Sequence, residues 1–553
     1  MKKRLLSSAL VLAMVSALFI GGCGDKKSNN SGGGTDENWQ TYQEKTGKNE
    51  DVTVTWWVMG GTDEYYQEYW TEMKGLQKIQ EITGVNIDFQ VASSYDVYLP
   101  MMTARNYPDV ITAKNLEQYS GRLAAMYKDN VSIKLNDYME EWMPNFSKIV
   151  KDYPNIARDL KLDNGEYTFV SALYDVENED DRAAASQYGL AIRQDWLDEV
   201  GRDIPTDISE WYETLLSFKK YDPNGNGQQD EEPVCMASSG WKYFLAAYGI
   251  DDDPCILNEN GEEKVIYGFV TEAYKEYLSE MQKWYKEGLI YNMFEQTSLE
   301  AREERVTSNL AGAWKGDALH FDTTDSDSYI SKLREVAPNA EFSACPWPKT
   351  ADGYQWCFSD INTFDRDTTV ITSKAKDDNV VEAAAYIIDY MLSENGSTLL
   401  TWGIEGESYE VDSDGNKQLK DGMDEMVDFH GTKIKKAYTY ADPLTVMLPQ
   451  FGQMADYVLN NEDEGYVEAC KVWSKGDTSY KINASCQLSV EQQDRVNTVT
   501  SGMKGYVTKM RTRFIQGGQS LTDYDAYVSQ VNQMGGTEYA EIWQEAYDAY
   551  KAR

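Results

Sequence analysis

The sequence predicts an α/β fold of two lobes that the chain joins by several crossings, followed by a helical C-terminal tail. The first observation is a strand, a helix and a strand near the start: an aromatic and β-branched run at 51–58, a helical pattern from Thr62 to Gly84, and an alternating run at 85–91. Such a unit has a right-handed crossover and implies a parallel sheet. The second observation is the length of 553 residues, enough for roughly two or three domains. The third is the lack of a linker-like segment after residue 50, which favours domains joined by several crossings.

The later elements follow from the same periodicity and capping patterns. A turn into a short strand is predicted at 107–111, and further strands at 167–171, 188–193, 342–348 and 368–372. Helices are predicted from 194, from the cap at 205–207 to about 219, at 273–287 and at 380–392. The segment 312–317 is interpreted as a loop at the end of a strand, and about the last hundred residues as mainly helical.

The N-terminus has the pattern of a secretory signal. A basic start at 1–4 precedes an apolar run at 5–20, which is too short for a stable membrane span. The ending Gly21-Gly22-Cys23 resembles a bacterial lipobox, in which the cysteine becomes the mature N-terminus and carries a lipid. An ordinary signal peptide is the alternative. We therefore expect a lipoprotein signal at 1–22, lipidation of Cys23, and a flexible Ser/Gly/Asn tether at 23–50.

Charge and composition exclude several classes of function. The net charge of −40 and the pI near 4.4 argue against nucleic-acid binding and against adsorption to an anionic membrane. The two histidines, His320 and His430, leave little room for a His-rich zinc site or a Ser-His-Asp hydrolase. In contrast, 15 Trp and 39 Tyr supply rings of the kind that stack on sugars.

Six cysteines follow Cys23 in sequence-local pairs. An extracellular location permits disulfides, but the sequence does not choose a connectivity, and reduced thiols are the alternative. The six positions are Cys235, Cys255, Cys345, Cys357, Cys470 and Cys486.

The most specific internal motif is the acidic loop at 222–231. Oxygen-bearing side chains stand at loop positions 1, 3, 5 and 9, glycine stands at position 6, and the residue at position 7 can give its backbone carbonyl, as in a calcium loop. Position 12 is Pro233, where an EF-hand has a bidentate glutamate, so Glu231 would close the shell early. A solvated turn is the alternative. The predicted structural Ca²⁺ ligands are Asp222, Asn224, Asn226, Gln228, Asp230 and Glu231.

Several segments together resemble the family 1 extracellular solute-binding proteins, the lipoprotein receptors of carbohydrate ABC importers that include maltose- and alginate-binding proteins. The resemblance is carried by their order and spacing over essentially the whole mature chain. The segments are YGLAIRQDWL at 188–197, Pro-Thr at 205–206, the loop 222–233, YPDV at 107–110, GIEG at 403–406, FIQGG at 514–518 and AYDAY at 546–550.

The resemblance implies a two-lobed periplasmic-binding-protein-like fold of type II with a multi-crossing hinge. We expect one lobe at 51–172 and 346–405 and the other at 173–345 and 406–553, with crossings near 169–174 and 344–348. It also implies a monomer at the outer face of the cytoplasmic membrane, without catalysis, that passes a carbohydrate to a permease driven by a cytoplasmic ATPase. In the alginate-binding relatives the loop that matches 222–231 binds calcium structurally.

A sugar site needs aromatic faces and a few fixed polar groups. Trp57 is a candidate because it ends the first strand, where open α/β sheets place ligand crevices. By family position, Asp109 is expected to accept sugar hydroxyls, and Trp314 with Asp317 to form a cleft loop. The remaining candidates, for which a place in the core or an internal ion pair is the alternative, are Tyr174, Arg193, Trp241 and Trp356.

Two other functions fit parts of the sequence. A secreted glycoside hydrolase would use a pair of carboxylates, but among 92 acidic residues a pair can always be chosen, and the pattern shows no eightfold βα run. A surface sugar-binding protein of the same fold, without transport, is the other alternative. Release of smaller sugars from an oligosaccharide would distinguish the hydrolase from both binding proteins.

Overall fold

The computed structural model describes residues 39–59, 65–92, 95–114, 119, 122–237, 240–259, 261–291, 294, 297–430, 432–441 and 448–553. The strands within these ranges are β1 (Val52–Met59), β2 (Val85–Ala92), β3 (Val110–Lys114), β4 (Val170–Leu173), β5 (Tyr188–Arg193), β6 (Glu232–Val234), β7 (Pro254–Glu259), β8 (Glu262–Tyr267), β9 (Ala311–Asp317), β10 (Phe342–Cys345), β11 (Phe364–Ile371), β12 (Tyr409–Val411), β13 (Lys417–Leu419), β14 (Met426–Phe429), β15 (Thr432–Lys435) and β16 (Gln450–Phe451).

The α-helices surround the sheets and make up most of the C-terminal region. They are α1 (Tyr42–Thr46), α2 (Tyr65–Glu72), α3 (Lys74–Thr83), α4 (Tyr98–Ala104), α5 (Arg122–Lys128), α6 (Pro144–Asp152), α7 (Pro154–Leu160), α8 (Glu179–Ala184), α9 (Gln194–Val200), α10 (Ile208–Tyr221), α11 (Glu272–Lys286), α12 (Leu299–Thr307), α13 (Tyr329–Arg334), α14 (Lys374–Asp377), α15 (Val381–Met391), α16 (Glu394–Thr401), α17 (Met454–Asn461), α18 (Glu464–Trp473), α19 (Val490–Thr500), α20 (Met503–Ile515), α21 (Tyr524–Gln533) and α22 (Gly536–Lys551).

The first lobe is built on a six-stranded sheet of order β16-β4-β11-β3-β1-β2. Strands β1 and β2 pair in parallel, as the sequence predicts, and β1 also pairs in parallel with β3. Strand β11 is antiparallel to both of its neighbours, β3 and β4. Fully buried side chains such as Val54, Trp56 and Ile387 fill the core between this sheet and its helices. Each such side chain contributes about 1.5–3 kcal/mol relative to exposure.

The second lobe is built on a four-stranded sheet of order β10-β5-β9-β6. Strand β5 is antiparallel to β10 and β9, and β6 runs parallel to β9. Its core is dominated by indoles, with Trp196, Trp211 and Trp284 fully buried. The helices α20 to α22 pack on this core, and α22 lies against the β7–β8 hairpin. The C-terminal tail is therefore helical and part of the second lobe.

The chain crosses between the two sheets three times within the described residues. It leaves the first sheet after Leu173, returns to it at Phe364, and leaves it again after Phe451. The structure therefore divides the lobes differently from the sequence prediction. Residues 346–363 contribute to the second core, and 406–451 contribute to the first, because β16 completes the first sheet.

Local sequence signals explain most of the element boundaries. Asp207 caps α10 by accepting a hydrogen bond from the backbone N–H of Glu210 at 2.9 Å. Gly84 ends α3 in the left-handed conformation, with φ of 67°. The helix predicted from Thr62 is instead two helices in its described part, α2 and α3, which break at Met73. The segment 312–317, interpreted as a loop, is part of β9. It forms a strand because both of its edges find partners, β5 and β6.

A close approach at the hinge depends on glycine. Trp473 at the end of α18 lies against β5 and β9, and its indole Nε1 donates to the carbonyl oxygen of Leu190 at 3.1 Å. A Cβ atom at Gly189 would lie 2.2 Å from this indole, and one at Gly316 would lie 2.9 Å from it. Both strands therefore require a residue without a side chain where Trp473 packs.

Two predictions concern cysteines and the membrane. The six cysteines after Cys23 are all buried free thiols, so none of the sequence-local pairs is bridged. Within the described ranges, none of the helices is long and apolar enough to cross a bilayer. The predicted signal at 1–22, Cys23 and the tether to residue 38 lie outside the described residues.

Candidate functional site

The candidate site lies where the chain crosses between the two sheets. At one end of each sheet the strands begin or stop next to a crossing, and we call these two ends the crossing edges. In the first sheet the strand registers place Met59, Lys114, Leu173 and Phe364 toward the same edge. In the second sheet, Tyr188 at the start of β5 pairs with Asp317 at the end of β9, and Cys345 ends β10 beside them. Ligand crevices of open α/β sheets lie at edges of this kind.

The second sheet presents a Tyr, a Lys and an Asp at its crossing edge. The Tyr188 side chain is 44% exposed, and the Nζ atom of Lys315 lies 3.9 Å from its ring centroid. Burial lowers the pKa of Lys315 to about 8. The Asp317 carboxylate caps the 3-10 helix Ala318–Phe321 and accepts from the backbone N–H of Leu319 at 3.1 Å. Burial raises the pKa of Asp317. An aromatic face and two charged groups thus converge at one point.

Trp314 lies on the same strand but has no exposed surface. Its Nε1 donates to His320 Nδ1 at 3.2 Å, and its ring packs edge-on against Phe342 at 4.6 Å. Burial lowers the pKa of His320 to about 2, so the imidazole is neutral and can accept this hydrogen bond. Trp314 is therefore part of the buried hydrophobic cluster at the hinge, which we call the hinge core. Its ligand-binding role stays a prediction.

Asp109 and Arg193 lie at the edges away from the crossings. Asp109 precedes β3, and its Oδ2 accepts from the backbone N–H and the hydroxyl of Thr55 at 2.9 and 2.6 Å. Arg193 ends β5, is 1% exposed, and pairs with Asp195 while stacking on Trp196. Both side chains have internal partners, Asp109 keeps its buried Oδ1 without a hydrogen-bond partner, and the ligand-binding role of each stays a prediction.

The four remaining candidates differ in how far they are exposed. Trp57 is 5% exposed and packs against Tyr98, and Trp241 is 2% exposed and packs against Phe294. Tyr174 is buried just beyond β4, at the first crossing, and belongs to the same hinge core as Trp314. Trp356 is half-buried in the second crossing, between Tyr354 and Tyr480. Their ligand-binding roles also stay predictions.

The structure brings forward residues that the sequence reasoning missed, namely Tyr188, Lys315, Lys242 and Tyr243. Lys315 Nζ lies 5.9 Å from the Tyr243 ring centroid, and Lys242 Nζ pairs with Asp252 at 2.8 Å. The one usable signal was the alternation along β9, where Lys315 interrupts a buried run. The signal applies only to a strand, and a loop at 312–317 would not alternate its side chains in this way.

The loop 222–231 has the backbone that its spacing predicts. Gly225 and Gly227 adopt φ of 68° and 77°, and open space surrounds the position of a Cβ atom at each. Asp222 has φ of 50° at the end of α10, and its Oδ2 accepts from the backbone N–H of Gly227 at 3.0 Å. The amide nitrogens of Asn224 and Asn226 donate to Asp230 at 3.0–3.1 Å. The chain thus folds back on itself around its oxygen atoms.

Three carboxylate oxygens in this loop are buried without a hydrogen-bond donor: Oδ1 of Asp222 and both oxygens of Glu231. Burial raises the pKa of Glu231, and the neighbouring Asp222 and Asp230 add to the shift. Among the described residues, no group of three or more His, Cys, Asp or Glu side chains has the geometry of a metal site. A calcium loop, however, also draws on amide and backbone oxygens. The unpaired oxygens fit a cation at this position.

Curated relatives align with most of the chain. The fructooligosaccharide ABC transporter substrate-binding protein FusA of Streptococcus pneumoniae is 24% identical over 510 residues, 86% of this chain and 87% of its own length. The polygalacturonan/rhamnogalacturonan-binding protein YtcQ of Bacillus subtilis is 23% identical over 85% of this chain and 90% of its own. Lipoprotein LipO of B. subtilis is 22% identical, with 86% and 89% covered. No family model matches the chain.

Solved structures decide the fold. An EF-hand mutant of S. pneumoniae FusA in complex with fructo-nystose superposes with a TM-score of 0.67 at 20% identity, covering 90% of this chain and 99% of that one. A solute-binding protein from Bifidobacterium longum infantis that binds HMO gives 0.68 at 18%, with the same coverage. The fold is that of the two-lobed solute-binding proteins. Alginate-binding protein AlgQ2 without calcium ion gives 0.61 at 18%, covering 90% and 98%. The resemblance inferred from sequence motifs is thereby confirmed.

Proposed function

We propose that this protein captures a carbohydrate outside the cell and delivers it to the permease of an ABC importer, without catalysis. The observation that carries the proposal is the similarity over 86% of the chain to FusA, a substrate-binding protein, together with the two-lobed fold. The names of FusA and YtcQ both describe binding proteins. The carbohydrates named for FusA and YtcQ are fructooligosaccharide and polygalacturonan/rhamnogalacturonan, so the class of carbohydrate follows from the site and not from the fold.

The geometry supports capture by closure of the two lobes. Three crossings join the lobes, and a ligand that contacts both crossing edges would favour the closed arrangement through its differential affinity for it. Tyr188 offers a partly exposed ring for the C–H face of a sugar, and Asp317 with Lys315 offers polar groups for its substituents. Of the predicted candidates, Asp317, Trp356 and Tyr174 are those that lie at a crossing edge or on a crossing segment.

Calcium binding by the loop 222–231 belongs to the same proposal. The unpaired oxygens of Asp222 and Glu231, and the left-handed Gly227 at position 6, support a cation there. The EF-hand mutant of FusA and the structure of AlgQ2 without calcium ion point the same way for those proteins. We propose that Asp222, Asn224, Asn226, Asp230, Glu231 and the backbone of Gln228 hold a structural Ca²⁺.

The N-terminus supplies the location in this proposal. Cys23 at the end of the apolar run would carry the lipid, which agrees with the name lipoprotein given to LipO. A lipid on Cys23 would hold the lobes at the outer face of the cytoplasmic membrane, and the tether would let them reach the permease. We expect the protein to act there as a monomer.

The test is ligand-dependent stabilisation followed by direct binding. The mature chain in calcium buffer is screened by thermal shift against neutral and acidic oligosaccharides, including kestose, and each hit is measured by calorimetry. We expect a raised Tm, saturable binding and recovery of the sugar intact. Tyr188→Ala should weaken binding, whereas Tyr221→Ala, at a 55% exposed tyrosine that ends α10, should not. Release of smaller sugars, or no stabilisation by any carbohydrate, would contradict the proposal.

A further inference from the structure

Lys315 is an unusual cation for its position. It stands on β9 opposite Leu190, at the crossing edge of the second sheet, and its side chain is half-buried. Its Nζ lies over the ring of Tyr188 at 3.9 Å from the centroid. No carboxylate among the described residues lies within ion-pair distance of this Nζ, although the chain has 92 acidic residues. In a protein with a net charge of −40, a buried lysine without an acidic partner is unexpected.

A second cation behind Lys315 adds to the local positive charge. Arg302 is 5% exposed, and its guanidinium donates to the backbone carbonyl of Lys315 at 3.1 Å and to the hydroxyl of Tyr329 at 3.2 Å. Neither acceptor is charged. Lys242 also lies close enough to repel Lys315, but it pairs with Asp252. The charge of Lys315 and Arg302 is thus opposed nearby by Asp317, whose carboxylate already caps a helix.

Burial and this local positive charge lower the pKa values of Lys315 and His320. Burial, Arg302 and Lys242 lower the pKa of Lys315, and Asp317 offsets part of this effect. Burial, Arg302 and Lys315 hold His320 in its neutral form. A half-buried amine that has lost water and has no carboxylate within ion-pair distance gains most from a ligand that brings a negative charge. A sugar hydroxyl would give it an uncharged acceptor, which is the weaker partner.

We propose that Lys315 and Tyr188 form a specificity-determining subsite for an acidic sugar, a uronate unit whose carboxylate pairs with Lys315 Nζ while its ring contacts the exposed part of Tyr188. Arg302 acts as a positioning residue, because it holds the backbone of Lys315 and adds positive charge without reaching a ligand. This inference rests on the proposed function, since it names the class of sugar that the same crossing edge receives.

The test compares uronate trisaccharides with their methyl esters, which keep the shape of the sugar and remove its charge. Galacturonate, mannuronate and glucuronate trimers, each as free acid and as methyl ester, are titrated calorimetrically at pH 7 and low salt. For at least one trimer we expect the free acid to bind at least about tenfold more tightly than the ester, a difference of about 1.4 kcal/mol. Lys315→Met should abolish that difference and retain the affinity for the ester.

Lys264→Met, at an exposed position of the β7–β8 hairpin, is the matched control for loss of one positive charge and should keep the discrimination. The circular dichroism and Tm of Lys315→Met are measured so that misfolding is recognised. Equal binding of acid and ester, or discrimination that survives in Lys315→Met, would overturn the inference. If only neutral oligosaccharides bind, the inference fails and the proposed function stands; if no carbohydrate binds, both fail.

Discussion

Two buried acidic sites in this protein are built in opposite ways. Asp159 in α7 is 2% exposed and has a donor for each oxygen: the Tyr550 hydroxyl at 2.6 Å, the Thr363 hydroxyl at 2.7 Å and the Asn483 amide at 3.2 Å. Glu231 is 7% exposed, and neither of its oxygens has a donor. Burial without donors raises the pKa of Glu231.

The difference shows that a buried carboxylate can have one of two roles. A carboxylate that the fold supplies with donors needs nothing from outside and can join parts of the chain. Asp159 does so: α7 packs in the first core, Tyr550 lies in the second, and Thr363 ends the second crossing. A carboxylate that the fold leaves bare is costly unless a cation completes it. The predictions below test this contrast, from the largest expected effect to the smallest.

Asp159→Ala should give the largest loss of stability. The substitution leaves the Tyr550 and Thr363 hydroxyls and the Asn483 amide without their acceptor at the contact between the lobes. We expect the free energy of unfolding to fall by about 3–5 kcal/mol in urea denaturation. Asp137→Ala is the matched control, because Asp137 pairs with Lys134 while their side chains are 58% and 37% exposed, and its loss should cost less than about 1 kcal/mol. Similar losses for both variants would contradict the assignment of Asp159 as an internal joint.

Glu231→Gln should remove the response to calcium and leave the calcium-free protein intact. Wild type should gain about 2.7 kcal/mol when free Ca²⁺ is about 100 times Kd, because Ca²⁺ binds the folded state. The variant should show no gain, and in chelator it should be at least as stable as wild type, since it removes a bare buried charge. Thermal melts with and without Ca²⁺ give the measurement. Glu304→Gln, at an exposed position in α12, should respond as wild type does. A calcium-dependent shift that persists in Glu231→Gln would place the cation elsewhere.

These two sites also show how far the sequence alone could lead. The backbone of the loop 222–231 was predictable because the proposed ligands lie within ten consecutive positions, and Gly227 adopts the left-handed conformation that position 6 of such a loop requires. The contacts that Asp159 makes between the lobes were not predictable. Its partner Tyr550 lies 391 residues away, and no local sequence pattern identifies either residue. The strands were predictable from alternation, and β5 agrees residue by residue with the predicted 188–193.

The candidate ligand site was predictable only in part, for the same reason. Half of the candidates chosen from the sequence are tryptophans, and the burial of Trp314 depends on Phe342 and His320, which other elements supply. Lys315, its immediate neighbour, projects from the opposite face of the sheet because a strand alternates its faces, and its Nζ lies over the ring of Tyr188. The alternation has meaning only once β9 is known to be a strand.

Asp389 is an intermediate case in this comparison. Its carboxylate accepts hydrogen bonds, and its pKa is nevertheless raised. The backbone N–H groups of Asn145 and Phe146 and the Asn145 amide donate to it at 2.8–3.2 Å, yet burial raises its pKa to about 7. In the unfolded chain the group titrates near 3.8. Between these values the folded state holds a proton that the unfolded state has lost, so stability falls as pH rises, and it levels off above the folded pKa.

The stability difference between wild type and Asp389→Asn should therefore depend on pH. From pH 5 to pH 7, wild type should lose about 2–3 kcal/mol relative to the variant, at about 1.4 kcal/mol per pH unit. Urea denaturation of both proteins at pH 5, 6, 7 and 8 gives the difference directly and cancels every other titrating group. Parallel curves would show that the three donors fully compensate the burial of Asp389.

Tyr550→Phe should have the smallest effect, since it removes one donor from Asp159 and leaves Thr363, Asn483 and the Arg158 guanidinium 3.5 Å from Oδ1. The ring is retained, with Arg158 and Arg553 at 5.0 and 5.2 Å from its centroid, so packing and cation–π contacts persist. A hydrogen bond to a charged group contributes about 1.5–3 kcal/mol, and we expect the lower end because Asp159 keeps these other partners.

The control for this variant is Tyr547→Phe, whose hydroxyl donates to the partly exposed Glu263 at 3.1 Å and should cost less than the loss at Tyr550. The decisive measurement is the double variant with Asp159→Ala. If the Tyr550 hydroxyl acts through Asp159, its removal should cost little once the carboxylate is gone, and the two losses should be far from additive. Additive losses would mean that the Tyr550 hydroxyl stabilises the contact independently of Asp159, whose carboxylate Thr363, Asn483 and Arg158 would then hold.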